Sequence, residues 1–115
     1  MTVMTNPEIE KSKPFLSAEI IEYVPNSTET KTILHKNTGS VCIISFDSGE
    51  GHSEKINPFD SFVQIIEGQA EMIINGVTNT LRTGESIVIP ANASKFVKAH
   101  GPFKIIQTVI KSGYE

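Results

Sequence analysis

From Thr30 onward the sequence consists of short apolar segments that turn-forming residues interrupt about every 8 to 12 positions. The segments are rich in Ile, Val, Thr and Phe, which favour extended strands, and Gly, Pro, Asn and Asp lie between them. This pattern is typical of an all-β sandwich or barrel. Nine strands are predicted, near TKTILH, SVCIISF, HSEKI, SFVQII, AEMII, TNTLR, SIVIP, SKFVKA and FKIIQTVI.

The strongest turn signal is Asn75-Gly76, which separates AEMII from VTNTL. A two-residue type I′ hairpin requires positive φ at both central positions, and Asn-Gly adopts that conformation most readily. Gly68 and Gly84 indicate two further chain reversals. The segment from Phe15 to Val24 stays ambiguous, because its apolar residues suit either a short helical turn or a strand.

The 115 residues are enough for one domain with its own core. We expect residues 1–14, which contain two prolines, to form a flexible N-terminal arm, and residues 15–115 to form the barrel domain. The N-terminal segment lacks the basic start and apolar core of a secretory signal, and no apolar run is long enough for a membrane helix. We therefore expect a cytoplasmic protein with no membrane partner.

The net charge of −3 comes from ten basic and thirteen acidic residues, with no basic cluster in any segment. A nucleic-acid partner is therefore not expected. The single cysteine, Cys42, lies in the apolar run SVCIISF, where a cysteine is more often a small buried hydrophobic residue than a nucleophile.

Two glycine-led stretches have the most specific spacing in the chain. The first runs through Gly49, Lys55, Asn57, Ser61 and Gly68, and the second through Gly84, Pro90, Asn92, Lys95 and Ala99. Their spacing resembles the two conserved motifs of the cupin superfamily. The first of these motifs contains, in order, Gly, His-x-His, Glu and Gly. The second contains Gly, Pro-x-Gly, His and Asn. The resemblance covers about Tyr23 to Lys111 and implies a double-stranded β-helix barrel of the jelly-roll type.

The resemblance also implies where a metal would bind, and there this chain differs. The family's four ligand positions carry Lys55, Asn57, Ser61 and Lys95. An ammonium group has no lone pair, and Asn and Ser oxygens are weak ligands for a transition metal. We therefore expect no metal and no other cofactor.

A metal-dependent cupin enzyme with relocated ligands stays an alternative. The three histidines, His35, His52 and His100, lie on separate segments, and strand alternation turns His52 away from the side of Lys55. We expect them to be solvated or structural residues.

Period-two alternation predicts which side chains face the barrel interior. The predicted ligand-binding residues are Lys55, Asn57, Ser61, Lys95 and Gln107. Gln107 falls in an apolar inward row of the last strand, and an edge or rim position is an equal alternative for it.

The two lysines leave three interpretations open. They bind the anionic group of a small molecule, or one of them is neutral and serves a lysine-dependent enzyme of an isomerase or decarboxylase type. In the third interpretation both point to solvent, and the domain is a non-catalytic structural or regulatory dimer.

The strand SFVQII is largely apolar on both faces, because Phe62 and Ile66 lie opposite Val63 and Ile65. Cupins of this kind are commonly homodimers, so the resemblance implies a homodimer in which a second copy covers Phe62 and Ile66. The alternative is that the chain's own N-terminal segment covers them.

Overall fold

The computed structural model describes residues 9–47, 55–99 and 101–113. All nine predicted strands are present in these ranges, the third only in part because residues 52–54 of HSEKI lie outside them. The strands are β1 (Thr28–Lys36), β2 (Gly39–Phe46), β3 (Lys55–Ile56), β4 (Asp60–Glu67), β5 (Gln69–Ile74), β6 (Val77–Arg82), β7 (Ser86–Ile89), β8 (Ser94–Ala99) and β9 (Phe103–Ile110).

The strands form two antiparallel sheets. The five-stranded sheet has the order β1-β2-β9-β4-β7, and the four-stranded sheet has the order β3-β8-β5-β6. The fold is therefore the all-β jelly-roll barrel that the sequence predicted. No helix in the described part of the chain is long and apolar enough to cross a membrane.

The core lies between the inner faces of the two sheets, as strand alternation predicts. On β4, Ser61, Val63 and Ile65 are buried, whereas Phe62 is 40% exposed on the opposite face. The core consists of Phe46, Val63, Ile65, Ala70, Met72, Leu81, Ile89, Ala93, Val97, Phe103 and Ile105.

The predicted turns are confirmed by their backbone geometry. Asn75 and Gly76 have φ values of 48° and 83°, as a type I′ hairpin requires. Asn92, which occupies the family's glycine position, has a φ of 67°. Asparagine tolerates this left-handed conformation better than most residues, so the turn between β7 and β8 is retained.

The segment before β1 crosses the outer face of the five-stranded sheet. Its Phe15–Val24 part contains a turn in which the Glu19 N–H donates to the Leu16 carbonyl, and it forms neither a helix nor a strand. Its backbone carbonyls accept hydrogen bonds from two buried residues of the sheet, Ser45 and Lys104. Buried polar groups need such partners, and the segment supplies them. The predicted arm lies partly outside the described residues, and the domain boundaries stay a prediction.

A charged cluster connects this segment to the barrel. The Tyr23 hydroxyl donates to Glu67 Oε2 at 2.5 Å, and Lys104 Nζ lies 3.6 Å from the same oxygen and 4.7 Å from the centre of the Tyr23 ring. Burial and the Glu67 carboxylate raise the pKa of Tyr23, so the phenol stays protonated at neutral pH.

Candidate ligand-binding site

A cavity of about 380 Å³ opens between the two sheets. One part of its wall comes from the five-stranded sheet, namely Thr28, Thr30, Ile44, Phe46, Ser61, Ile89 and Gln107. The other part comes from the four-stranded sheet and its adjoining loops, namely Lys55, Ile56, Asn57, Pro58, Ala93, Lys95 and Val97. The structure thus brings all five predicted ligand-binding residues to one cavity, and ligand binding by them stays a prediction.

The two lysines are direct cross-strand partners. Lys55 of β3 pairs with Lys95 of β8, and Ile56 pairs with Ser94. Cβ atoms of directly opposed residues in an antiparallel pair lie about 4.5–5.5 Å apart, so the two residues line neighbouring parts of the cavity wall. This proximity follows from the strand register as well as from the motif spacing.

The two amines differ in their surroundings. Lys55 is exposed on a two-residue edge strand, whereas Lys95 is half-buried on β8, between β3 and β5. Burial, and then the charge of Lys55, lower the pKa of Lys95. No Asp or Glu occurs among the described residues that line the cavity. No carboxylate among these residues therefore offsets the repulsion between the ammonium groups of Lys55 and Lys95.

Asn57 makes two hydrogen bonds, one that links the two motif regions and one that restrains its own side chain. Its carbonyl oxygen accepts a 2.7 Å hydrogen bond from the Asn92 N–H, and its side-chain Oδ1 accepts one of 3.0 Å from the Phe59 N–H. The turn between β7 and β8 is therefore held against the connection between β3 and β4. Oδ1 is engaged by this hydrogen bond, and Nδ2, the donor of the amide, is the side-chain atom that a ligand can use.

Ser61 and Gln107 line the cavity on the inner face of the five-stranded sheet. Ser61 is only 5% exposed, and Gln107 is half-buried between its strand partners Cys42 and Val63. Because β9 is the central strand of this sheet, Gln107 does not lie at a sheet edge, and the alternative of a position at the barrel rim is not tested. The side chains of both residues can form hydrogen bonds with a ligand in the cavity.

Thr28 and Thr30 of β1 also line the cavity, although they were not among the predicted site residues. Both belong to an alternating TETKT segment, so period-two alternation would have placed their hydroxyls on one face. Which face points into the barrel becomes evident only from the pairing of Thr28 with Phe46 and of Thr30 with Ile44.

The residues at the family's metal positions do not fit a metal ion. Two of these residues are lysines, whose ammonium groups have no lone pair for a metal. The amide oxygen of Asn57 is already hydrogen-bonded, and the Ser61 hydroxyl is a weak ligand for a transition metal. Among the described residues, no group of three His, Cys, Asp or Glu side chains could hold a metal. His52 and His100 lie outside those residues, so relocation of the site is not tested.

No protein-family model and no curated protein sequence matches this chain. Solved structures do match it. A Streptococcus pyogenes protein of unknown function, SPY1581, is 24% identical over 96% of both chains, with a TM-score of 0.84. A cupin superfamily protein from Desulfitobacterium hafniense is 20% identical over 93% of this chain and 98% of that one, with a TM-score of 0.82.

A cupin 2 conserved barrel domain protein from Leptotrichia buccalis is 28% identical over 82% of this chain, with a TM-score of 0.77. The match covers 46% of the L. buccalis chain, so the present chain spans about half its length. Fold and cavity together define a jelly-roll barrel with a cavity between its two sheets. The chain has the fold of the cupin superfamily, as its two glycine-led stretches predicted.

Proposed function

We propose that this protein is a metal-free cupin-type barrel that binds a small anionic metabolite between Lys55 and Lys95. The observation that supports this most directly is the pairing of the two lysines inside one cavity. Two ammonium groups about 4 Å apart repel by on the order of 4 kcal/mol at an effective dielectric constant near 20. A carboxylate, sulfonate or phosphate group between them adds two attractions that offset this repulsion.

The remainder of the cavity suits the rest of such a molecule. Ser61, Asn57 and Gln107 offer hydroxyl and amide groups, and Phe46 and Ile89 contribute apolar wall. Small-molecule sites commonly combine a few fixed polar groups with apolar lining, in volumes of about 300–1,000 Å³. The cavity of about 380 Å³ is at the lower end of this range, which favours a small metabolite.

Thermal-shift and calorimetric titrations with small carboxylates, phosphates and sulfonates test this proposal. We expect stabilisation of the wild type by at least one anion class, and affinity reduced about tenfold or more in Lys55→Met and in Lys95→Met, since a charge-assisted hydrogen bond contributes about 1.5 kcal/mol. Lys98→Met is the matched control, because Lys98 is on the same strand but exposed and on the other face. Unchanged affinity in both cavity variants would contradict the proposal, as would a stoichiometric metal in the purified protein.

The same titrations have an expected pH dependence. Because burial and Lys55 lower the pKa of Lys95, its positive charge is lost at a lower pH than that of an ordinary lysine. Anion affinity is therefore greatest below the pKa of Lys95 and decreases as the pH rises through it. Calorimetry between about pH 7 and pH 10 measures this decrease, and Lys95→Met should abolish it.

We further propose that the protein is a homodimer that uses the outer face of the five-stranded sheet. One cross-strand row on this face spans all five strands and consists of Leu34, Val41, Thr108, Phe62 and Val88. Phe62 and Val88 are 40% and 64% exposed, and the N-terminal segment hydrogen-bonds Ser45 and Lys104 elsewhere on the sheet. A row in which four of the five side chains are apolar is typical of a self-complementary interface.

Sedimentation velocity of Phe62→Glu tests the dimer. We expect the wild type to sediment as a dimer and Phe62→Glu as a folded monomer, because a carboxylate in the apolar row would be buried without a partner. Phe96→Glu is the control, since Phe96 is similarly exposed but belongs to the four-stranded sheet. A monomeric wild type, or a Phe62→Glu variant that stays dimeric, would refute the proposal.

A cytoplasmic location stays a prediction, and no nucleic-acid or membrane partner is proposed.

A further inference from the structure

We propose that the ligand is a 2-oxo acid, that Lys55 binds its carboxylate, and that the Lys95 amine forms an imine with its carbonyl carbon. This inference rests on the proposed function, since the same two lysines take part.

The positions of the two lysines assign their different roles. Lys55 is exposed at the edge of its sheet, where water stabilises its positive charge. Lys95 is half-buried and is flanked on β8 by the inward-facing Val97, with Ala93 of the preceding turn also in the cavity wall. Poor solvation of an amine favours its neutral form, which is the nucleophilic one. Lys95 is therefore the nucleophile and Lys55 the cation, in agreement with the lowered pKa of Lys95.

The direct pairing of these residues matches the geometry of a 2-oxo acid. The carboxylate and the carbonyl of such a molecule are on adjacent carbon atoms, and the two lysines come from directly opposed positions of β3 and β8. When Lys55 holds the carboxylate, the carbonyl carbon lies beside Lys95. The apolar wall, which includes Ile44 and Phe46, accommodates the remaining carbon chain.

The step is balanced without a further reactant. The neutral Lys95 Nζ attacks the carbonyl carbon, a C–N bond forms, and the C=O π pair moves to oxygen, which takes up the proton released by nitrogen. The resulting carbinolamine loses the hydroxyl group and the remaining nitrogen proton as water, and a C=N bond forms. The net reaction converts an amine and a ketone into an imine and water, with no oxidation or reduction.

Reductive trapping of the full-length protein tests the inference. Pyruvate is added with sodium cyanoborohydride, which reduces an imine to a stable secondary amine, and the modified residue is mapped by peptide mass spectrometry. We expect one adduct, on Lys95, with none in Lys95→Arg and an unchanged yield in Lys98→Arg. Lys55→Met should lower the yield about tenfold at subsaturating pyruvate, because the carboxylate loses its partner.

Two further probes separate this inference from the proposed function. Lactate has the carboxylate but no carbonyl, and acetone has the carbonyl but no carboxylate. Lactate should compete with trapping and stabilise the fold without forming an adduct, and acetone should react much more slowly than pyruvate. Stabilisation by lactate with no pyruvate adduct on Lys95 would overturn the imine and leave the anion site standing. Equal trapping of acetone and pyruvate, with no effect of Lys55→Met, would overturn the assignment of a 2-oxo acid.

Discussion

Gly68→Ala is expected to destabilise the fold by about 3 kcal/mol or more, the sum of two separate costs. Gly68 has a φ of +86°, a conformation that side chains with a Cβ rarely adopt. A Cβ at this position would also lie 2.5 Å from the Pro102 carbonyl oxygen and 2.9 Å from the Phe103 Cβ. Neither neighbour can move easily, because one is backbone and the other belongs to a fully buried core residue.

Gly84→Ala is the matched control for this prediction. Gly84 has a similar φ of +90°, but a Cβ added there would meet no atom of the described residues within 4 Å beyond its own chain neighbours. We expect a loss of only about 1 kcal/mol, the conformational cost alone. Urea unfolding followed by circular dichroism measures both values. Equal losses in the two variants would show that the close approach of Gly68 to Pro102 and Phe103 has no energetic effect.

Phe103→Ala should cost about 3–5 kcal/mol, the usual range for removal of a buried phenylalanine side chain. Phe103 is fully buried, and its ring stacks on that of Phe46 with centroids 4.4 Å apart and planes inclined by 8°. Phe46 also lines the cavity, so this variant weakens the wall of the candidate site as well as the core.

The exposed Phe96 supplies the control for the core prediction. Phe96→Ala makes the same chemical change at a side chain that is 38% exposed, and we expect it to cost less than about 1 kcal/mol. Comparison of urea midpoints and m-values distinguishes the two variants. A loss below about 1 kcal/mol in Phe103→Ala would contradict the position of this ring at the centre of the barrel.

Local chemistry was sufficient to predict the nine strands and their turns. Alternation of apolar and polar side chains depends only on the extended backbone, and Asn75-Gly76 forms its hairpin turn from the conformational freedom of the two residues. Motif spacing and alternation also predicted that Lys55 and Lys95 share the barrel interior. The segment from Phe15 to Val24 could not be assigned in this way, because its conformation depends on hydrogen bonds to distant residues such as Ser45 and Lys104.

The sequence, together with its resemblance to the cupin motifs, was thus enough to predict the strands, the turns, the fold and five of the seven polar residues that line the cavity. Strand order and register emerged only from the folded chain, and they make Lys55 and Lys95 direct partners, place Gln107 on a central strand and add Thr28 and Thr30 to the cavity. Strands and turns could be predicted and strand order and register could not, because the interactions that determine them act over different distances along the chain. Side-chain alternation and turn geometry are encoded over a few neighbouring residues, whereas pairing between strands depends on contacts between segments far apart in the chain.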